Sequence, residues 1–162
     1  TLFMSAILRM RSFAALTLML AGVLVASMFA FTPSADAATR GKRVLNALEV
    51  VRNQKGDPYV YGASGPSRFD CSGLVYYSYR KAGFTNIPRT SDAQARFADR
   101  IKRKNMRKGD LMFFHNGGNV YHVAVFTGWK NGKRWMVHAP SSGKRVHRAT
   151  PWTNRWYAGT LR

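Results

Sequence analysis

Asp70-Cys71-Ser72-Gly73-Leu74-Val75 contains the one cysteine of the chain, and the interpretation of the fold starts from it. Asp70 suits a helix N-cap and Gly83 suits a C-terminal cap, so we predict a helix over residues 71–82. Because a helix N-terminus carries roughly half a positive charge, it stabilises a thiolate. We therefore expect Cys71 to be a nucleophile with a pKa below about 8.5, the free-thiol value. The alternative role is that of a small, inert, buried side chain.

A nucleophilic cysteine needs a base, and the base needs a partner that orients it. His122 begins the predicted strand over residues 121–127, and His138 ends the predicted strand over residues 134–138. In an antiparallel pair joined by a turn at Asn131-Gly132, the start of one strand lies beside the end of the next. We therefore expect His122 and His138 to be neighbours, and His115 and His147 to be solvated.

The remaining segments complete a predicted α+β domain. Apolar residues at helical spacing predict a helix over residues 42–53, and a short third helix follows Pro88. Residues 100–109 are predicted to form a basic loop. Strands follow at residues 111–114, 121–127 and 134–138, and further strands are expected at Val146 and at residues 157–161. This order predicts N-terminal helices packed on a C-terminal antiparallel sheet.

Composition limits the class of protein. The chain has 162 residues, 46% of them hydrophobic, and a formal net charge of +19. These values indicate one globular domain of ordinary size rather than a disordered basic tail. A single cysteine excludes an intramolecular disulfide and an all-cysteine zinc site. The charge predicts an anionic partner such as nucleic acid, lipid headgroups or a cell-wall polymer.

The N-terminal residues have the pattern of a secretory signal. Arg9 and Arg11 precede an uncharged stretch over residues 13–31, and Ala35-Asp36-Ala37 resembles a cleavage site. We predict a signal peptide over residues 1–37, with Ala38 as the new N-terminus of a domain over residues 38–162. A permanent membrane anchor is the alternative, because the uncharged stretch is long enough to span a bilayer of about 30 Å.

Five further blocks accompany the cysteine block. They are Pro58-Tyr59-Val60-Tyr61-Gly62, Pro88-Arg89-Thr90-Ser91, Lys108-Gly109-Asp110-Leu111, His122-Val123-Ala124-Val125 and His138-Ala139-Pro140. In type and order these blocks resemble the NlpC-type cell-wall cysteine peptidases. The resemblance implies a papain-like α+β fold, without a cofactor or metal, that hydrolyses peptide bonds in the stem or bridge of peptidoglycan. It also implies a secreted or wall-associated bacterial protein.

The resemblance also implies roles for individual residues. Cys71 corresponds to the nucleophile, His122 to the base and His138 to the residue that orients the base. Tyr59 corresponds to a tyrosine that helps to bind the oxyanion. The residues that correspond to stem-peptide contacts are Asp70 and Ser72, with Arg89 and Ser91 as weaker candidates.

Two other functions are compatible with the sequence. The same fold could be an amidase that cuts at the sugar–peptide junction, or an acyl transferase. Alternatively, the chain could be a non-catalytic cationic wall-binding protein, although its tryptophans (Trp129, Trp135, Trp152 and Trp156) have the pattern of core or sheet-edge residues. We expect a monomer that binds no nucleic acid. Its basic segments over residues 100–108 and 144–148 are candidates for binding anionic wall polymers.

Overall fold

The computed structural model describes residues 35–162, and Asp36–Arg162 form a compact unit. Its three helices are α1 (Ala35–Asn53), α2 (Cys71–Lys81) and α3 (Ser91–Phe97). Its strands are β1 (Asp99–Ile101), β2 (Leu111–Asn116), β3 (Asn119–Lys130), β4 (Lys133–His138), β5 (His147–Ala149) and β6 (Trp156–Thr160), and a 3₁₀ turn covers Arg103–Asn105. Among these described elements, no helix has the length and apolar character needed to cross a membrane.

The six strands form one antiparallel sheet in the order β1-β6-β2-β3-β4-β5. β3 and β4 form a hairpin in which Asn131 (φ 53°) and Gly132 (φ 69°) occupy the turn. Positive φ at both central residues gives a turn whose twist matches that of the strands. The predicted α+β class, with helices before an antiparallel sheet, is confirmed.

Several boundaries differ from the sequence prediction. The strand expected at Val146 is wrong by one residue, because β5 covers His147–Ala149. α1 begins at Ala35 instead of residue 42, so the predicted cleavage tripeptide lies in its first turn. The rest of the predicted signal peptide, residues 1–34, lies outside the described residues. The predicted basic loop contains the 3₁₀ turn and the last two residues of β1, which forms because Arg100 pairs with Gly159 of β6. A three-residue strand at a sheet edge has no sequence signal of its own, since its distant partner decides it.

The sheet is buried on both faces. The helices cover one face, where Leu48, Leu74 and Val75 pack with Phe113 and Val123. The other face has a smaller cluster of side chains that are at most 7% exposed: Met106, Met112, Phe114, Ala124, Phe126, Met136, Trp156 and Ala158. No helix from the described part of the chain contributes a residue to this second cluster, so loops and long side chains cover it.

The start of α2 is held against an upstream loop. Asp70 is the N-cap, and its Oδ1 accepts a hydrogen bond from the backbone N–H of Gly73 at 2.6 Å. The backbone N–H of Asp70 donates to the carbonyl oxygen of Ala63 at 2.9 Å. A Cβ at position 73 would overlap that same carbonyl oxygen, so only glycine allows this approach.

We expect Gly73→Ala to destabilise the protein by about 2 kcal/mol or more, because Cβ has no free space and backbone must move. Urea unfolding measures the change in free energy. Gly118→Ala is the matched control, since Gly118 has no heavy atom within 4 Å of the added carbon. The control should change stability by less than about 0.5 kcal/mol. Equal effects of the two substitutions would contradict the close approach.

Candidate active site

Cys71 is the first residue of α2 and faces a cavity of about 480 Å³ at the end of the β3–β4 hairpin. Besides Cys71 of α2, the cavity is lined by residues from loops and from three strands: Tyr59, Tyr121, His122, His138, Pro140, Lys144, His147, Ala149, Thr150 and Trp152. The thiol, both predicted catalytic histidines and the predicted oxyanion tyrosine therefore border the same space.

His122 and His138 are neighbours, as the predicted strand pairing required. Nε2 of His122 lies 2.9 Å from Nδ1 of His138, and the two rings are perpendicular. This contact occupies Nε2 of His122, so Nδ1 is the nitrogen left to exchange a proton with a thiol. Whichever tautomers are present, only one of the two facing nitrogens carries the shared hydrogen.

Burial keeps both imidazoles neutral. His122 is 6% exposed and His138 is 4% exposed. Burial lowers the pKa of His122 to about 4. Burial, together with the nearby His122, His147 and Lys144, lowers the pKa of His138 to about 3. A neutral His122 at pH 7 is in the form that can accept a proton.

The expected low pKa of the thiol is not what the structure shows. Burial raises the pKa of Cys71, and the charge of Asp70 adds to this increase. Backbone hydrogen bonds from Val123, Ser72 and Cys71 itself act in the opposite direction without reversing it. The sequence indicated the helix N-terminus but not the packing around the sulfur. With its pKa raised, the thiol keeps its proton at neutral pH.

Trp152, which the sequence analysis assigned to the core or a sheet edge, packs against the histidine pair. Its ring stacks on Phe114 at 4.3 Å and on His138 at 5.6 Å, and its edge meets His122 at 5.2 Å. The side chain is 54% exposed, so its other surface forms part of the cavity wall. The loop between β5 and β6 brings Trp152 to the histidine pair. No local sequence pattern predicts that a loop residue will make such a contact.

The two other histidines differ from each other. His147 is exposed, as expected, but it lines the cavity, and its ring centroid lies 4.9 Å from that of His138. Its Nδ1 lies 2.8 Å from the carbonyl oxygen of Arg145. His115 is not among the cavity residues and is only partly exposed, packing against Tyr157.

The predicted stem-peptide residues border a second cavity of about 460 Å³, which shares Tyr59, Cys71 and Tyr121 with the first. Arg89 donates to both carboxylate oxygens of Asp70, at 3.0 and 2.8 Å. It also donates to Oγ of Ser72 at 3.0 Å. Ser91 donates to the carbonyl oxygen of Val120 at 3.0 Å. The structure thus brings all four predicted residues to the border of one cavity.

Asp70 is ionised. Burial alone would raise its pKa, but hydrogen bonds from Arg89, Gly73 and Gly62 and the charge of Arg89 outweigh burial, so the pKa lies below its usual value. Tyr59 is a neutral hydrogen-bond donor, because burial and the nearby Cys71 and Asp70 raise the pKa of its hydroxyl. Residues 35–162 contain no group of three or more His, Cys, Asp or Glu side chains arranged to hold a metal ion.

Comparison with known sequences places the chain in a family. Its residues 56–162 match the NlpC/P60 family, so the chain belongs to that family. Over 109 residues it is 38% identical to a probable endopeptidase of Corynebacterium glutamicum, an alignment that covers 67% of this chain and 47% of the relative. It is 36% identical over 124 residues to the murein DD-endopeptidase MepH of Escherichia coli, covering 72% and 44%. The chain spans about half the length of these curated relatives.

Solved structures agree with this assignment. The NlpC/p60 domain of the peptidoglycan hydrolase SagA aligns with a TM-score of 0.65 at 28% identity, over 73% of this chain and 98% of that structure. The peptidoglycan hydrolase RipB of Mycobacterium tuberculosis aligns with a TM-score of 0.66 at 26% identity, over 80% and 68%. The papain-like form of the α+β class is thereby confirmed.

The buried histidines should make the fold sensitive to acid. Their folded pKa values, about 4 and 3, lie below the ordinary 6.5, so the unfolded chain binds protons first as pH falls. Protonation of each histidine in the unfolded chain should therefore lower the free energy of unfolding by about 2 kcal/mol between pH 7 and pH 5. Urea unfolding at both pH values measures the loss. His138→Gln should remove part of the loss, whereas a loss as large as that of the wild type would contradict the neutral pair.

Proposed function

We propose that the protein is a peptidoglycan endopeptidase that cuts a stem or bridge peptide through a thiol mechanism. The observation that carries the proposal is the contact between His122 Nε2 and His138 Nδ1 at 2.9 Å, in one cavity with the only cysteine. This is the order of nucleophile, base and orienting group that nucleophilic catalysis requires. The names of the relatives MepH and RipB support the substrate class.

The proton steps follow from the neutral resting site. As Cys71 Sγ attacks the scissile carbonyl carbon, its proton passes to Nδ1 of His122, and Nε2–H of His122 donates to Nδ1 of His138. The imidazolium then protonates the leaving amine as the C–N bond breaks, which leaves a thioester on Cys71. Water attacks the thioester, His122 accepts a proton from it, and release of the carboxylate restores the thiol.

Tyr59 and the backbone N–H of Cys71 are proposed to bind the oxyanion that forms during both steps. The tyrosine hydroxyl borders the same cavity as the sulfur and is held neutral by its surroundings, so it can donate a hydrogen bond. One donor in such a position typically contributes about 3 kcal/mol to stabilising the transition state.

Asp70, Ser72, Arg89 and Ser91 are proposed to bind the stem peptide beside the sulfur. All four border the second cavity, where the Asp70–Arg89 ion pair offers a rigid polar wall. An amidase or an acyl transferase would use the same thiol and histidines, so these functions differ from the proposal only in the products. A non-catalytic wall-binding protein would have no need for the buried histidine pair beside the thiol.

Purified protein incubated with peptidoglycan should release fragments with new peptide termini, which mass spectrometry identifies. Cys71→Ala should abolish the release, and His122→Ala should reduce it nearly as far, because residues that act as a unit are not additive. His138→Gln should reduce it less, since an amide can still accept from His122. His115→Ala is the control and should stay close to wild type.

The products decide between the alternatives. New termini inside a stem or bridge peptide support the endopeptidase, and free sugar lactyl groups would identify an amidase instead. Release that persists in Cys71→Ala would contradict the thiol mechanism.

Export of the domain after cleavage at Ala37 is proposed from the residue pattern over 1–37. Removing that segment takes away Arg9, Arg11 and Asp36, so the formal charge would fall only from +19 to +18. We propose that this charge draws the enzyme to anionic wall polymers and that the protein acts as a monomer.

N-terminal sequencing of protein recovered from culture medium should read Ala-Thr-Arg-Gly, starting at Ala38. An uncleaved chain found in the membrane fraction would support the anchor instead. Ala37→Leu is the matched test, because a bulky residue at the cleavage site should stop processing while the residues before it are unchanged.

A further inference from the structure

Two guanidinium groups lie over one indole ring on the sheet face away from the helices. Cζ of Arg103 lies 4.1 Å from the ring centroid of Trp156, and Cζ of Arg134 lies 5.5 Å from the same centroid. Arg134 also lies 4.3 Å from the ring of Trp129. Cation–π contact keeps both charges near the buried Trp156, although the two charges repel each other.

Within residues 35–162, neither of these two arginines forms an ion pair with a carboxylate. The four ion pairs within residues 35–162 use other arginines: Arg52, Arg89, Arg96 and Arg162. The sequence after Asp110 contains no Asp or Glu, although β2 to β6 all lie there. Asp99 of β1 is exposed and has no ion pair within the same range. Burial and the charge of Arg134 lower the pKa of Arg103, as expected for neighbouring cations without an anion.

The guanidinium groups of Arg103 and Arg134 each have N–H donors that make no hydrogen bond within residues 35–162. Nε of Arg134 is buried and has no partner among the described residues. Arg103 uses Nη2 for the carbonyl oxygens of Asn154 and Trp156, and its Nε and Nη1 have no partner in that part of the chain. An oxyanion at the surface would accept from the terminal nitrogens of the two guanidinium groups and would offset the repulsion between their charges.

A groove of about 560 Å³ continues from Arg103 along the edge of the sheet formed by β1 and β6. Lys102 lines it, and Arg100 lies 4.2 Å from the ring of Tyr157 on its wall. The positive surface therefore extends beyond a single ion and suits a chain of anions.

We propose that Arg103 and Arg134, held over Trp156, bind a phosphate group of a phosphodiester-linked anionic polymer, and that the groove with Arg100 and Lys102 takes the next phosphate. The two charged oxygens of a phosphodiester match the planar guanidinium fork in a bidentate geometry, and its two ester oxygens are further acceptors that a carboxylate lacks, so two guanidinium groups can share it. This inference rests on the proposed attraction to wall polymers and gives that attraction a defined location. Binding at this site does not depend on hydrolysis, since Cys71 takes no part in the binding.

Calorimetric titration of the purified full chain with a short poly(glycerol phosphate) tests the site, with poly-glutamate of equal charge as the comparison. Arg134→Gln should weaken phosphate-polymer binding about tenfold, the loss of one charge-assisted bidentate contact. Arg80→Gln is the matched control, because Arg80 is exposed, lies outside both basic segments, has its Cζ 5.2 Å from the ring centroid of Tyr76 and loses the same charge. The control should change the affinity less than about twofold.

Arg134→Lys separates geometry from charge, since lysine keeps the charge but lacks the fork. It should bind at least threefold more weakly than wild type. Equal losses in Arg134→Gln and Arg80→Gln, wild-type affinity in Arg134→Lys, or equal affinity for poly-glutamate would each overturn the proposal. Peptide release by Arg134→Gln from small soluble muropeptides should match wild type, so failure of this site and failure of the proposed hydrolysis give different results.

Discussion

The approach of the α2 N-terminus to the carbonyl oxygen of Ala63 is the constraint on which the site depends. Gly73 permits it, and Asp70 stabilises it by capping the helix and pairing with Arg89. Because Cys71 lies between these two residues, the same contacts fix the position of the sulfur. An ion pair that engages both carboxylate oxygens resists movement better than a single hydrogen bond, so the first turn of α2, which carries the thiol, is held rigidly.

Packing around the sulfur and the imidazoles changes the chemistry that the sequence suggests. A thiol at a helix N-terminus would ionise readily in water, yet burial raises the pKa of Cys71 and lowers that of His122. The thiol and the imidazole are then both neutral at rest, and in the proposed mechanism charge separates only as the bond to the substrate forms. Trp152 contributes to this environment, since it covers His138 and leaves one face to the cavity.

The two faces of the sheet are covered by different means. Helices bury the first face with apolar side chains, whereas arginine side chains and tryptophans cover much of the second. Stacked guanidinium groups can cover apolar surface and still carry charge. The sequence after Asp110 has no acidic residue, so this cover is positive, which makes the face away from the helices suited to an anionic partner.

The sequence by itself determined the elements whose signals are local. The N-cap at Asp70, the turn at Asn131-Gly132 and the resulting contact of His122 with His138 follow from neighbouring residues and strand pairing, and the structure confirms them. Only the tertiary structure decided the rest. Strand β1 depends on pairing with β6, Trp152 reaches the histidines through a loop, and the direction of the Cys71 pKa depends on burial. These features arise from residues distant in sequence, whose approach no local pattern encodes.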